Sequence, residues 1–159
     1  MSQQEQSPRI KCAVLRLQQG NLIVPFNLLA ELVAVEQLES STHPDIVGWV
    51  RWLNRPVPLI ALEGLCGQET PLIQEVSNCL ILHTTYNHDE LPFIAFQVQG
   101  GLQTVDIGED TLRDDYHANT QRCPYVARHV RISQLACLIP DLPAIEAFIA
   151  DILARSGST

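Results

Sequence analysis

Cysteine and histidine are the residue types in this 159-residue chain that could carry nucleophilic, redox or metal chemistry. No two of the five cysteines have the Cys-x-x-Cys spacing of a redox motif or a zinc site. They are Cys12, Cys66, Cys79, Cys123 and Cys137. Cys12, Cys79 and Cys137 lie inside apolar runs, where a free thiol behaves as a small hydrophobic residue. We therefore expect these three side chains to belong to the core of the fold.

The five histidines are scattered and form no pair that would place two ligands on one helix face. They are His43, His83, His88, His117 and His129. A zinc site needs three or four converging donors, so the sequence implies no metal. His83 follows Cys79 by four residues, which in a β-strand separates the two by about 13 Å, too far for proton transfer. A Cys–His nucleophilic pair formed by residues distant in sequence stays an open alternative.

Composition and charge argue against several kinds of partner. The net charge is −8 and the isoelectric point is near 4.9, so nucleic acid and anionic membrane surfaces are disfavoured. No apolar run is long enough to insert into a membrane, and residues 1–9 lack a secretory signal, so we expect a cytoplasmic protein. Gly100-Gly101 lacks the lysine and the following helix of a phosphate-binding loop, and no motif implies a cofactor.

The elements that would position any site are mostly short β-strands at regular spacing. The pattern predicts strands at 10–17, 22–24, 48–53, 57–62, 78–84, 92–99, 102–107, 126–132 and 135–139. A chain of this kind without alternating helices is typical of an antiparallel barrel or sandwich. Residues 108–124 are acidic and polar and are predicted to form an exposed loop. Residues 68–77 are predicted to connect two lobes.

Two segments have helical spacing. In residues 26–38, Leu28, Leu29, Leu32 and Val35 could lie along one helical stripe. The second segment, residues 141–155, begins with Asp141 as a favourable N-cap, and its apolar residues recur with a period near 3.6. We expect this C-terminal helix to pack on the chain's own sheet.

The stretch from Gly48 to Gly67 is the most informative part of the chain. Val50 and Trp52 are predicted to share one strand face, and Trp49, Arg51 and Leu53 the other, because side chains alternate along a strand. The residues at 54–56 are predicted to turn the chain, because asparagine tolerates positive φ and proline fixes its own φ. Aromatic residues and arginine on the wetter face are typical of protein interfaces.

This stretch resembles the CheW-like family of bacterial chemosensory coupling proteins. The residues that fall on the family's strand-turn-strand pattern are Gly48, Trp52, Pro58, Leu62 and Gly67, and Pro25 and Glu31 lie in a similar earlier passage. The family's Arg-Gly pair at the turn is replaced here by Leu53-Asn54. Asn54 can adopt the glycine's conformation, whereas Leu53 lacks the arginine's charge.

The resemblance implies an all-β, mainly antiparallel fold of two small SH3-like five-stranded barrels packed side by side, with the C-terminal helix. It implies one domain at 9–155, and the segments at 1–8, which is polar, and 156–159 are predicted to be disordered tails. It also implies a non-catalytic adaptor between a methyl-accepting chemoreceptor and a CheA-like histidine kinase, in a chemotaxis or twitching-motility system. Such an adaptor is expected in the cytoplasm, at receptor arrays on the inner membrane.

The expected contact residues are Trp49, Arg51, Leu53, Arg55 and Glu31, and the expected structural turn residues are Gly48, Asn54, Pro58 and Gly67. Three alternatives stay open. Trp49 and Leu53 could be buried between the lobes, the chain could be a small β-barrel sensor that binds a ligand, or it could be a hydrolase with a Cys–His pair.

Overall fold

The computed structural model describes residues 8–18, 20–67, 78–85, 90–115 and 123–156, and these form twelve strands and two α-helices. The strands are β1 (Ile10–Arg16), β2 (Asn21–Pro25), β3 (Leu29–Ala34), β4 (Leu38–Ser40), β5 (Gly48–Trp52), β6 (Arg55–Ile60), β7 (Asn78–His83), β8 (Phe93–Val98), β9 (Leu102–Ile107), β10 (Leu112–Asp114), β11 (Val126–Ile132) and β12 (Leu135–Pro140). The helices are α1 (Leu62–Leu65) and α2 (Leu142–Ser156), and a 3-10 turn spans Phe26–Leu28.

The strands form two six-stranded sheets. Barrel A has the order β10-β11-β12-β2-β1-β9, and barrel B has the order β3-β7-β8-β6-β5-β4. The two edge strands of each sheet are consecutive in the chain: β9 and β10 in barrel A, and β3 and β4 in barrel B. Each of these pairs behaves as one long bent strand, with one half at each edge of its sheet. Each sheet therefore has the form of a five-stranded barrel, and the predicted all-β fold of two SH3-like barrels is confirmed.

The two halves of the chain exchange their first hairpins. The β1–β2 hairpin joins β9 to β12 in barrel A, while the β7–β8 hairpin joins β3 to β6 in barrel B. In both barrels the exchanged hairpin makes one parallel contact, β2 with β12 and β8 with β6, and its other neighbour is antiparallel. Neither barrel can therefore form from one half of the chain alone.

The apolar residues of the described ranges form three clusters, one inside each barrel and the largest between the barrels. Alternation along β1 shows how one strand serves two of them: Cys12 and Val14 lie inside barrel A, while Ala13 and Leu15 face the other barrel. The cluster between the barrels includes the fully buried side chains Leu22, Ile60, Leu80, Leu82, Ile94, Phe96, Ile145 and Ile149. Complete burial of such side chains stabilises the fold by about 1.5–3 kcal/mol each.

The C-terminal helix packs into the cluster between the barrels, as predicted. The Asp141 carboxylate accepts a hydrogen bond from the Ala144 amide at 3.1 Å and thereby caps the helix. Ile145 and Ile149 are completely buried. Glu146 is also buried, and its carboxylate accepts hydrogen bonds from the backbone amide and the hydroxyl of Thr85, which anchor α2 to the end of β7.

The helical stripe predicted in residues 26–38 is wrong. Only the 3-10 turn is helical there, and β3 follows it and pairs with β7, with Leu32 opposite Leu80 and Val33 opposite Cys79. Leucines at helical spacing also fit a strand with both faces half-covered, and pairing with a distant strand decided the outcome. The predicted loop at 108–124 contains β10.

Other predictions fall on the parts of the chain that lie outside the described residues. The connector at 68–77 and most of the two tails, 1–7 and 157–159, belong to this group. The proposed bounds of the domain therefore stay a prediction.

Candidate functional site

The hairpin of β5 and β6 turns through two residues that both have positive φ. Leu53 has φ 49° and Asn54 has φ 62°, and the pairing of Trp52 with Arg55 closes the loop. The predicted turn at 54–56 is therefore displaced by one residue toward the N-terminus, because Arg55 and Pro56 already belong to β6. A two-residue hairpin loop of type I′ has positive φ at both positions, a conformation that asparagine adopts readily and leucine does not.

Leu53 combines this unfavourable backbone with an unusual side-chain environment. Its side chain is 72% exposed, which makes it the most exposed large hydrophobic residue in the described part of the chain. The open alternative in which Leu53 is buried between the barrels is therefore wrong. A strained, exposed leucine at a hairpin tip contributes nothing evident to the stability of this chain, which makes it a candidate contact residue.

Two of the predicted turn residues, Gly48 and Pro58, lie at the base of this hairpin. A Cβ atom on Gly48 would lie 2.6 Å from the Glu39 carbonyl oxygen, so only glycine allows β4 to approach β5 this closely. Pro58 is buried in β6 opposite Trp49. Gly67 ends the segment after α1 with φ 81°.

One face of the hairpin carries Trp49 and Arg51. Trp49 is half-buried and lies opposite Glu39 on β4 and Pro58 on β6. The Arg51 guanidinium lies 3.6 Å from the Glu39 carboxylate, and both side chains are more than half exposed. Such an exposed ion pair contributes at most about 1 kcal/mol, so Arg51 can exchange Glu39 for an external partner at little cost.

The opposite face forms what we name the aromatic rim, made of Trp52, Phe93 and His83 together with Arg55 and Glu31. The Trp52 indole packs edge-on against Phe93, with ring centroids 4.8 Å apart, and its Nε1 donates a 2.7 Å hydrogen bond to the Glu31 carboxylate. Phe93 also contacts the His83 ring at 4.9 Å, and the Arg55 guanidinium lies 5.7 Å from its centroid. Trp52 and Phe93 pack against the interior of barrel B, so the rim covers one part of that core.

The structure therefore divides the predicted contact residues between two faces. Trp49 and Arg51 lie on one face, Arg55 and Glu31 belong to the aromatic rim on the other, and Leu53 lies at the tip between them. Sequence reasoning missed Phe93 and His83 as neighbours of this hairpin. The directly opposed pair Trp52 and Arg55 could have been found from a two-residue turn, because opposed residues share a face.

The cysteines divide into two groups. Cys12, Cys79 and Cys137 are buried free thiols, and burial raises the pKa of each, that of Cys79 to about 12. At neutral pH Cys79 is therefore protonated inside barrel B, which removes support for a nucleophile paired with His83. Cys66 and Cys123 form a disulfide that the sequence did not reveal, because the cysteines lie 57 residues apart.

Other kinds of site find little support in the described ranges. Within 8–18, 20–67, 78–85, 90–115 and 123–156 no group of three or more histidine, cysteine or acidic residues is arranged to hold a metal. An open groove of about 500 Å³ lies beside the β1–β2 and β8–β9 turns, and Arg16, Asn21, Gln103 and Leu135 are among its lining residues. This mixed lining differs from the mostly apolar wall of a typical small-molecule site.

Comparison with known proteins places the chain in a family. A model of the CheW-like domain matches residues 11–147. The chain belongs to the CheW-like domain family. A search of curated proteins finds no match.

A solved structure has the same fold as this CheW-like chain. It is the scaffolding protein TtCheW from Thermoanaerobacter tengcongensis, with a TM-score of 0.65 and 15% sequence identity over 85% of this chain and 90% of that chain. No helix among the described residues is long and apolar enough to cross a membrane.

Proposed function

We propose that this protein is a non-catalytic chemosensory adaptor that couples methyl-accepting receptors to a CheA-like histidine kinase, in chemotaxis or twitching-motility signalling. Membership of the CheW-like family supports this function. The structural neighbour is described as a scaffolding protein. The adaptor works on the cytoplasmic side of the membrane, where receptor arrays present their signalling ends.

The exposed tip of the β5–β6 hairpin is the observation that carries the proposal. Leu53 extends into solvent from a backbone conformation that disfavours leucine, and Arg51 and Arg55 flank it on the two faces. Exposed apolar side chains next to arginine are typical of the centre of a protein interface.

The hairpin tip and the aromatic rim together form the surface that we assign to the kinase. The rim is supported from below by the interior of barrel B, so its side chains are held in place before a partner arrives. A partner that docks on such a prepared surface loses less conformational entropy than one that must order it. The second barrel and the joint between the barrels remain for the receptor.

Binding measurements with the purified kinase and with a receptor signalling fragment test this assignment. The Arg51→Ala/Arg55→Ala double variant and Leu53→Asn are each expected to weaken kinase binding at least tenfold. Arg155→Ala and Leu135→Asn are matched controls, because Arg155 is an exposed arginine on α2, with Asp151 among its contacts, and Leu135 is an exposed leucine beside the corresponding hairpin turn of barrel A. Unchanged kinase affinity in both test variants would exclude this surface.

A further inference from the structure

The Cys66–Cys123 disulfide connects the two barrels at their joint. Cys66 follows α1, which continues from β6 of barrel B, and Cys123 lies just before β11 of barrel A. Their Cα atoms are 5.2 Å apart, and both residues are half-buried. Cys66 and the neighbours of Cys123, Tyr125 and Val126, pack against the cluster between the barrels. The bond therefore crosses the surface on which the two barrels meet.

The other three cysteines are protected from thiol–disulfide exchange. Cys12 and Cys137 lie inside barrel A and Cys79 inside barrel B, and all three are buried. Burial raises the pKa of each thiol, so the reactive thiolate is scarce near neutral pH. Thiol exchange in the folded chain is thereby directed to Cys66 and Cys123.

We propose that Cys66 and Cys123 form a reversible redox clamp across the joint of the two barrels, closed by a low-molecular-weight disulfide and opened by a dithiol reductant. This inference rests on the proposed function, because a cytoplasmic protein meets thiol pools that reduce accessible disulfides. In such a compartment the bond acts as a switch, whereas outside it the bond would be permanent.

The closing reaction is an exchange with glutathione disulfide or a similar oxidant. One cysteine thiolate attacks a sulfur of the oxidant, forming a mixed disulfide and releasing one glutathione. The second cysteine thiolate then displaces the second glutathione and forms the Cys66–Cys123 bond. The two cysteines lose two electrons and two protons, and the oxidant gains both and becomes two thiols.

Opening the clamp removes a covalent loop of 57 residues from the chain. The cross-link restricts the unfolded chain, so its loss lowers thermal stability. It also removes the covalent link between the end of α1 and the start of β11, so that non-covalent packing in the apolar cluster holds the two barrels together. We expect the reduced protein to remain folded, because that cluster and the exchanged hairpins are unchanged.

Equilibration of the full-length protein in glutathione redox buffers, followed by maleimide labelling and mass spectrometry, tests the clamp. The oxidised form should take up no label under native conditions, and the reduced form should be labelled at Cys66 and Cys123 only. The oxidised form should melt about 5–10 °C higher than the reduced form. Cys66→Ser and Cys123→Ser should melt at one temperature in both buffers, while Cys137→Ala should retain the difference.

Three results would overturn the clamp: no bond in the oxidising buffer, a bond that a dithiol cannot reduce in the native protein, or equal melting temperatures in the two states. The comparison of oxidised and reduced wild type provides the same test if the serine variants do not fold. None of these measurements involves kinase or receptor. Loss of the proposed adaptor function would therefore be recognised separately, in the binding assays.

Discussion

Replacing Leu53 by asparagine is expected to stabilise the protein and to weaken its binding to the kinase at the same time. The left-handed conformation costs an ordinary L-residue about 1 kcal/mol, and asparagine relieves most of that cost because it adopts this conformation readily. The opposing effect, a loss of buried apolar surface, is small. Leu53 is 72% exposed, so the substitution removes only about 0.5 kcal/mol of apolar burial.

The net expectation is a gain of about 0.5 kcal/mol in the free energy of unfolding, equivalent to a rise of about 1–2 °C in melting temperature for a chain of this size. Denaturant titration and differential scanning calorimetry measure both quantities. Titration calorimetry with the kinase should show an affinity at least tenfold lower, because the apolar contact at the tip is lost.

Leu135→Asn is the control for this experiment. Leu135 is 45% exposed and lies in a strand without positive φ, so its substitution relieves no strain and should lower stability by about 1 kcal/mol. It should leave kinase affinity unchanged. The reasoning fails if Leu53→Asn destabilises the protein by 1 kcal/mol or more, or if it leaves kinase binding unaffected.

Three further variants test the hairpin and the barrel B core. Gly48→Ala should cost 2 kcal/mol or more, because the new Cβ would lie 2.6 Å from a carbonyl oxygen, while Gly101→Ala, which meets no atom within 4 Å, should change denaturant stability little. Trp52→Phe should lower stability by about 0.5–1.5 kcal/mol through loss of the hydrogen bond from Nε1 to the Glu31 carboxylate, and adding Glu31→Ala to Trp52→Phe should cause little further loss. Full additivity of the two losses would contradict this. Stability should fall as pH rises from about 9 to about 12, because the Cys79 thiol ionises in the unfolded chain first, and Cys79→Ala should reduce this slope in pH-dependent denaturation.

Short apolar runs at regular spacing predicted most of the strands. Along β1 and β8 the alternating side chains serve two cores, and the sequence of each strand shows both faces as apolar. The segment at 26–38 failed because its leucines satisfy helical and strand spacing equally well. Only the pairing of β3 with β7, some fifty residues away in the chain, distinguishes the two. Local spacing contains no information about that partner.

Local sequence likewise brings together only the residues of the candidate site that are close in the chain. Trp49, Arg51 and Leu53 lie within one hairpin, so their proximity follows from local sequence. Phe93 reaches Trp52 only because the β7–β8 hairpin is exchanged into barrel B. The Cys66–Cys123 pair likewise depends on how the two barrels meet, and an odd cysteine count without a short spacing left every pairing open.

The exchanged hairpins bear directly on how an adaptor could hold two partners. If each barrel were built from one half of the chain, the barrels could separate with little loss of secondary structure. Here separation would require each half to withdraw a hairpin from the other, and it would expose Leu15, Phe96 and Ile149 at the joint. The surfaces on the two barrels are therefore fixed relative to each other by the same residues that make the fold stable, and a change at the joint would alter both.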